Sequence, residues 1–395
     1  MITADEFMAE AGRRGFDFYT GVPCSFLTPL INGVLNNRKL AYVGAASEGE
    51  AVAIASGAWL AGRQTVVMCQ NSGLGNAVNP LTSLNEPFRI PTLLITTWRG
   101  QPGIPDEPQH VVMGQIAQNL LSLIGVKHTE FPAQPERLAP ALAQAVEHMK
   151  ASDMPFAFVL KKDDVQDEEL HQQQRATPQP GKRADFRTGC ALPTRAAVLQ
   201  RFLDQTNDNT AVIATTGKCG RELFTLADRP QHLYQVGAMG CATGMGLGAA
   251  LNTTRTVTVL DGDGAALMKL GTLATVGAYG PRNLVHILLD NGVHDSTGGQ
   301  ATVSASVDFA AVALACGYQY AASCDTLEGF DAAVRAAATG TRPALIHARI
   351  APGSMDKLGR PTVAPVDVAR RFKDFLASPA VAGTPQAPRE IATAP

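Results

Sequence analysis

The stretch Thr256–Leu260 is a short β-rich run that breaks off at Asp261-Gly262-Asp263-Gly264, and a second run, Leu284–Leu289, breaks off at Asp290-Asn291-Gly292. Enough chain for one helix lies between them. Two buried strands joined by a helical crossover lie parallel, so their carboxyl ends open on the same edge of a sheet. Asp263 and Asn291, 28 residues apart, therefore meet at the edge where open α/β sheets bind their ligands. A carboxylate oxygen and an amide oxygen are hard donors that suit Mg2+, with Ca2+ or Mn2+ as alternatives, and a backbone carbonyl at about Val293 is a candidate third ligand. Gly262 and Gly264 let the backbone approach a diphosphate, and the N-terminus of the next helix favours its charge. Alone, a Gly-Asp-Gly turn is an ordinary glycine turn. Its pairing with an asparagine on a second strand end makes it specific.

The same alternation runs through the chain. FDFYT, AYVGAA, TVVMCQ, TLLITTW and FAFVL read as strands of a buried parallel sheet, with helices such as Glu48–Gly62, Val112–Ile124 and Pro135–Lys150 between them. AVIATTG, TVTVLDGDG, LVHILLDN, YQYAAS and PALIHARI repeat the pattern in the second half, and a last helix is expected at Val366–Leu376. The expected class is α/β, with two doubly wound parallel-sheet domains at 1–165 and 194–377. The polar, proline-containing stretch 166–193 reads as a linker, part of it a possible short surface helix, and 378–395 as a disordered Ala/Pro-rich tail. At the start, Thr3 and Glu6 form a capping-box pattern for a helix that Gly15 ends.

Composition excludes several classes. A net charge of −2 over 395 residues gives no footprint for nucleic acid or an anionic membrane surface. No apolar run reaches the roughly 20 residues of a membrane span, and the N-terminal MITADEFMAEAGRRG lacks the pattern of a secretion signal. The seven cysteines form no CxxC pair, so reduced core thiols in a cytoplasmic protein are expected.

Gly-Asp-Gly followed by asparagine at this spacing resembles the thiamine diphosphate enzymes, and the likeness covers nearly the whole chain: a pyrimidine-binding domain, then a diphosphate-binding domain, without the middle third domain of many relatives. The resemblance implies thiamine diphosphate held through a metal on Asp263 and Asn291, and a glutamate that hydrogen-bonds the pyrimidine ring. In Ser47-Glu48-Gly49-Glu50 that glutamate is Glu48, nine residues before Gly57 and directly after the strand Tyr42–Ala46; Glu50 is the alternative. It also implies that Met239, in Gly237-Ala238-Met239-Gly240, wedges the cofactor into a bent shape and that the Gly237 carbonyl accepts from its aminopyrimidine. Cofactor sites of this family form between domains of different subunits, so self-association to at least a dimer is implied.

Within the family, Gly21–Ile31, the loop Trp98–His110, Asn291–Gln300 and Ala351–Thr362 resemble the branch that decarboxylates 3-phosphonopyruvate in phosphonate biosynthesis. The sulfopyruvate branch and other 2-keto acid decarboxylases or carboligases are the alternatives. A small 2-keto acid with a second anionic group needs cations and hydroxyls beyond those serving the cofactor. Arg99, after the strand Thr92–Trp98, offers a planar fork for phosphonate oxygens. Asn71, Lys218, Ser296 and Thr297 are further substrate candidates. His110 and His294 are candidate catalytic proton donors, imidazole being suited to proton transfer near neutral pH. A different class, a nicotinamide-dependent dehydrogenase, is suggested by Gly244-Met245-Gly246-Leu247-Gly248, but GxGxG within a helix-like run departs from the GxGxxG fingerprint. A non-catalytic sensor of the cofactor is disfavoured by the retention of Glu48, Asp263 and Asn291.

Overall fold

Runs of three to seven residues, most of them apolar, become two parallel sheets in a computed structural model that describes residues 1–172, 177 and 179–379. The chain divides into two units, the first over Met1–Ala176 and the second from Thr177.

In the first unit the strands are β1 (Phe16–Gly21), β2 (Ala41–Gly44), β3 (Gln64–Cys69), β4 (Leu93–Thr97), β5 (Lys127–Glu130) and β6 (Phe156–Leu160). They lie side by side in the order β2-β1-β3-β4-β6-β5, all parallel. The winding direction reverses between β1 and β3, which opens a crevice at their carboxyl ends. Gly21 is required there: a Cβ on it would lie 2.0 Å from the Met68 carbonyl oxygen. One face of the sheet packs against the helices Ala4–Arg13, Thr28–Asn36 and Pro135–Ser152 through Phe7, Leu30, Phe156 and Phe158. The Thr3/Glu6 capping box is present, and Gly15 follows the helix with φ +88°.

In the second unit the strands are β7 (Lys182–Phe186), β8 (Ala211–Ala214), β9 (His232–Tyr234), β10 (Val257–Gly262), β11 (Leu284–Asp290), β12 (Val293–His294), β13 (Gln300–Ala301), β14 (Tyr320–Cys324) and β15 (Ala344–Arg349). Seven form a parallel sheet in the order β7-β14-β15-β11-β10-β8-β9, and β12 and β13 form a small antiparallel hairpin. The reversal falls between β8 and β10.

Each sheet carries one helix buried on all sides. In Glu48–Leu60 every residue from Gly49 onward is buried, and so is every residue of Ala242–Ala250. A helix with no polar face lies inside the fold. Gly246 lies in the second of these, where a Cβ would come 2.2 Å from Val259 Cγ2 of β10. The glycines that imitate a dinucleotide loop thus include one needed for helix-on-sheet packing.

Several elements differ from expectation. The stretch 166–193 contributes β7, which pairs with β14 at the edge of the second sheet. Its Lys-Arg-Ala-Asp-Phe sequence is too polar to read as a buried strand because an edge strand keeps much of its surface in water. β5 escaped for the same reason: Lys-His-Thr-Glu is an edge strand with both ends exposed. The last helix runs Pro365–Ala377. Most of the expected tail, residues 380–395, lies outside the described residues. Among the described residues no helix is long and apolar enough to cross a membrane, and all seven cysteines are free. Burial pushes the thiols of Cys69, Cys219 and Cys324 up to about 12, which keeps them protonated and unreactive.

Candidate active site

The strand register of the second unit brings the expected metal ligands together. β10 and β11 are hydrogen-bonded neighbours with Gly262 opposite Leu289, so Asp263 aligns with Asp290 and Asn291 is one step beyond. Asp263 is 3% exposed, and its carboxylate accepts from Thr302 Oγ1 at 2.5 Å. Burial pushes its carboxyl above the usual carboxylate range, and neighbouring Asp290 adds to this. Asn291 is also buried; its Oδ1 accepts from the Val293 N–H at 3.2 Å and its Nδ2 donates to Asp295 Oδ2 at 2.6 Å. Two hard oxygen donors at adjacent strand ends, one of them a buried carboxylate with no ion pair among the described residues, fit a divalent cation. No group of three or more His, Cys, Asp or Glu side chains that could hold a metal occurs among the described residues, so a cation here would complete its shell with backbone carbonyls, waters and ligand oxygens.

The glycines beside Asp263 divide their work. A Cβ on Gly262 would meet nothing within 4 Å, which is the free approach a diphosphate needs. A Cβ on Gly264 would lie 2.7 Å from His294 Cε1 and 3.2 Å from Met239 Cε. Gly264 therefore brings Met239, His294 and the start of the helix Asp263–Met268 into contact. The Gly237–Gly240 turn is built on left-handed backbone, with φ +59° at Gly237, +43° at Ala238 and +89° at Gly240. Ser296 and Thr297 are exposed in a short 3-10 turn; Thr297 Oγ1 is engaged with Gln300 Oε1 at 2.8 Å. A Cβ on Gly217 would lie 3.2 Å from Ser296 Oγ, so this turn adjoins Lys218, the first residue of the helix Lys218–Leu226. Lys218 forms no ion pair among the described residues.

In the first unit the two glutamates are told apart by their bonds. Glu50 is 1% exposed and accepts from the Ala46 N–H at 2.6 Å, and its own N–H donates to Ser47 Oγ, the cap of the helix Glu48–Leu60. Glu48 is half-buried and leans over the end of β3: a Cβ on Gly73 would lie 2.2 Å from its Oε1, and Asn76 donates to Oε2 at 2.8 Å. Asn71 is enclosed, its side chain donating to the Arg99 carbonyl at 2.8 Å and accepting from Thr97 Oγ1 at 3.3 Å, so it ties the end of β3 to the end of β4.

The Arg99 fork holds Asp106 through Nε at 2.8 Å and Nη2 at 2.5 Å, its Nη1 donates to Ser25 Oγ at 2.9 Å, and the guanidinium lies over the Phe26 ring at 4.6 Å. Asp106 also accepts from the Gly100 and Glu107 N–H groups. The Arg99 guanidinium holds the Asp106 carboxyl far below the usual carboxylate range. The fork expected to meet substrate is already occupied in closing its own loop, because an acidic partner lies seven residues on. His110 ends that loop; it is 6% exposed, and its Nδ1 is buried without a hydrogen-bond partner.

Sequence reading missed a set of charges behind Asn291. Arg195 reaches Asp295 Oδ2 at 2.6 Å and Glu222 Oε1 at 3.5 Å. The segment after β15 closes on both acids: the Gly353 N–H donates to Asp295 at 3.1 Å and the Met355 N–H to Glu222 at 3.0 Å. Burial pushes Glu222 up, with Arg195 opposing. Beneath them, His347 Nε2 bonds Asp290 at 2.8 Å and Ser304 Oγ donates to it at 2.9 Å. Nothing in local spacing signals contacts that span up to 133 residues of chain.

Residues 2–121 match the N-terminal TPP-binding domain of the thiamine pyrophosphate enzymes, and residues 215–348 match their C-terminal TPP-binding domain. The chain is 49% identical over 381 residues to a phosphonopyruvate decarboxylase of Streptomyces viridochromogenes, covering 96% of each. It is 29% identical over 377 residues to a sulfopyruvate decarboxylase of Methanosarcina acetivorans, covering 92% of this chain and 95% of the relative. In fold it is similar to a thiamine diphosphate-dependent 4-hydroxybenzoylformate decarboxylase of Rhodococcus jostii RHA1, with a TM-score of 0.70 at 14% identity over 90% of this chain and 100% of that one.

Proposed function

The chain belongs to the thiamine pyrophosphate enzymes, and on that premise we propose that it decarboxylates 3-phosphonopyruvate to phosphonoacetaldehyde and carbon dioxide, using thiamine diphosphate and Mg2+, as a step of phosphonate biosynthesis. The observation that carries this reading is the 49% identity to a phosphonopyruvate decarboxylase over 96% of both chains, against 29% to a sulfopyruvate decarboxylase.

Thiamine diphosphate, when bound, supplies the nucleophilic carbon and the electron sink for loss of carbon dioxide. The chain's own part is to bind, orient and protonate. Asp263, Asn291 and a backbone carbonyl at about Val293 would hold the metal, while Gly262 leaves room for the diphosphate. Glu48, half-buried after β2, would hydrogen-bond the pyrimidine ring, the Gly237 carbonyl would accept from the cofactor's amino group, and Met239 would wedge against the cofactor. Lys218, Ser296 and Thr297 bind the phosphonate, with Lys218 as the cation. Arg99 and Asn71 act indirectly by fixing the loop that ends at His110. His110 or His294 delivers the proton that completes the aldehyde. The two cofactor-binding units act on one cofactor from different copies, so the working form is at least a dimer; sedimentation of a fully active monomer would refute this. A water-soluble substrate and cofactor fit a cytoplasmic enzyme.

The test supplies apo-protein with thiamine diphosphate, Mg2+ and, in turn, phosphonopyruvate, sulfopyruvate and pyruvate, and measures carbon dioxide and aldehyde. Phosphonopyruvate is expected to give the highest kcat/KM. Faster turnover of either competitor would overturn the substrate assignment.

A further inference from the structure

We propose that Asp295, pinned by Arg195, is a positioning residue that selects which end of the Asn291 amide faces the metal. The inference rests on the reading of Asn291 as a metal ligand. A side-chain amide has two ends of nearly the same shape, and a half-turn about its last bond would place an NH2 group where the cation needs an oxygen. Asp295 resolves this ambiguity because an ionised carboxylate only accepts hydrogen bonds. Its Oδ2, 2.6 Å from Asn291 Nδ2, pulls the NH2 end toward itself and leaves Oδ1 for the opposite side. The Val293 N–H, at 3.2 Å from Oδ1, favours the same orientation through a longer, neutral bond.

The carboxylate is itself held from two further directions. Arg195 Nη2 donates to the same Oδ2 at 2.6 Å, and the Gly353 N–H reaches Oδ1 at 3.1 Å. Arg195 is nearly enclosed, and its other arm bonds the Gly353 carbonyl at 3.2 Å. Asp295 therefore joins the metal ligand to the segment that begins at Ala351. Ordering of that segment and orientation of Asn291 are coupled through one side chain. Outer partners of this kind fix a ligand's geometry, and their loss typically weakens metal binding about 10- to 100-fold.

The test is titration of MgCl2 into apo-protein at saturating thiamine diphosphate, read by calorimetry and by the rise in Tm with Mg2+. Asp295→Asn is expected to weaken Mg2+ binding by about 10- to 100-fold. Asp295→Glu keeps a carboxylate that only accepts hydrogen bonds and is expected to bind Mg2+ more tightly than Asp295→Gln, which has the same shape but carries a donor end. That comparison also serves if Asp295→Asn fails to fold. Unchanged affinity in folded Asp295→Asn, or equal affinities in the Glu and Gln variants, would overturn the inference. Asn291→Ala separates it from the reading beneath: unchanged Mg2+ affinity there would mean that Asn291 is not a ligand, whereas a loss there with none in Asp295→Asn would sink the positioning role alone.

Discussion

At the residue scale, chemistry is divided between groups that face a ligand and groups that hold them. Glu48 and Glu50, two positions apart, differ in their bonds: Glu50 holds the Ala46 N–H ahead of its helix, and Glu48 leans over a strand end. Glu48→Gln is expected to cut decarboxylation by at least about 100-fold, the scale of a lost proton-transfer group, while Mg2+ affinity changes little; full activity in the variant would dismiss Glu48. His232 offers a test away from the site. Burial pushes its imidazole down to about 4, and its Nδ1 bonds the Ala227 carbonyl at 3.1 Å. A depressed pKa means that the stability it protects is whole above its ordinary 6.5 and is lost as pH falls toward 4. The loss should approach about 3 kcal/mol. Urea unfolding at pH 7 and pH 4.5 should show it, and His232→Asn, which keeps a donor for Ala227, should flatten that part of the curve; parallel curves would refute the idea. Asp263, Asn291 and Glu48 stood out as candidates because each follows a strand signal or fits a fixed spacing. Asp295 and Arg195 did not, because the ion pair that pins Asp295 joins residues 100 positions apart.

At the scale of elements, two loops and one helix make sharper points. The loop from Trp98 to His110 is closed by the Arg99–Asp106 pair, so Asp106→Asn should loosen it and raise KM more than it lowers kcat, while freeing Arg99. Steady-state kinetics with phosphonopyruvate reads the difference, and a fall in kcat with KM unchanged would point instead to a direct chemical role. The helix Ala242–Ala250 packs on β10 through Gly246 with no space for a methyl group. Gly246→Ala should therefore destabilise the protein by about 1–3 kcal/mol. Adding Val259→Ala should give back part of this loss, because it removes the methyl group 2.2 Å from the new Cβ position; additive losses in chemical denaturation would contradict this packing account. Central strands were readable as apolar runs; that the helices Glu48–Leu60 and Ala242–Ala250 are buried on all sides emerges only in the structure. Edge strands such as β5 and β7 were not, since their sequences carry Lys, His, Arg, Asp and Glu where a pattern search expects Val and Ile.

At the scale of the whole molecule, each unit carries its own parallel sheet and its own buried central helix. Residues 1–176 and 177–395 produced as separate chains should therefore each give a cooperative unfolding transition, with decarboxylation expected on mixing and in neither alone; failure of both pieces to fold would show that the units depend on covalent linkage. The two sheets are open, and an open sheet ends in a row of unpaired backbone donors and acceptors. Here two of those margins are lined with ionic side chains, in Lys127–Glu130 and Lys182–Phe186, while a third, β9, lies under the helix Pro365–Ala377, whose Arg371 sits over Tyr234. The charges that disguised these strands in the sequence thus act as fences. They deny a stray strand from another molecule a place to dock, and so keep a protein built on two unclosed sheets from polymerising along its rims.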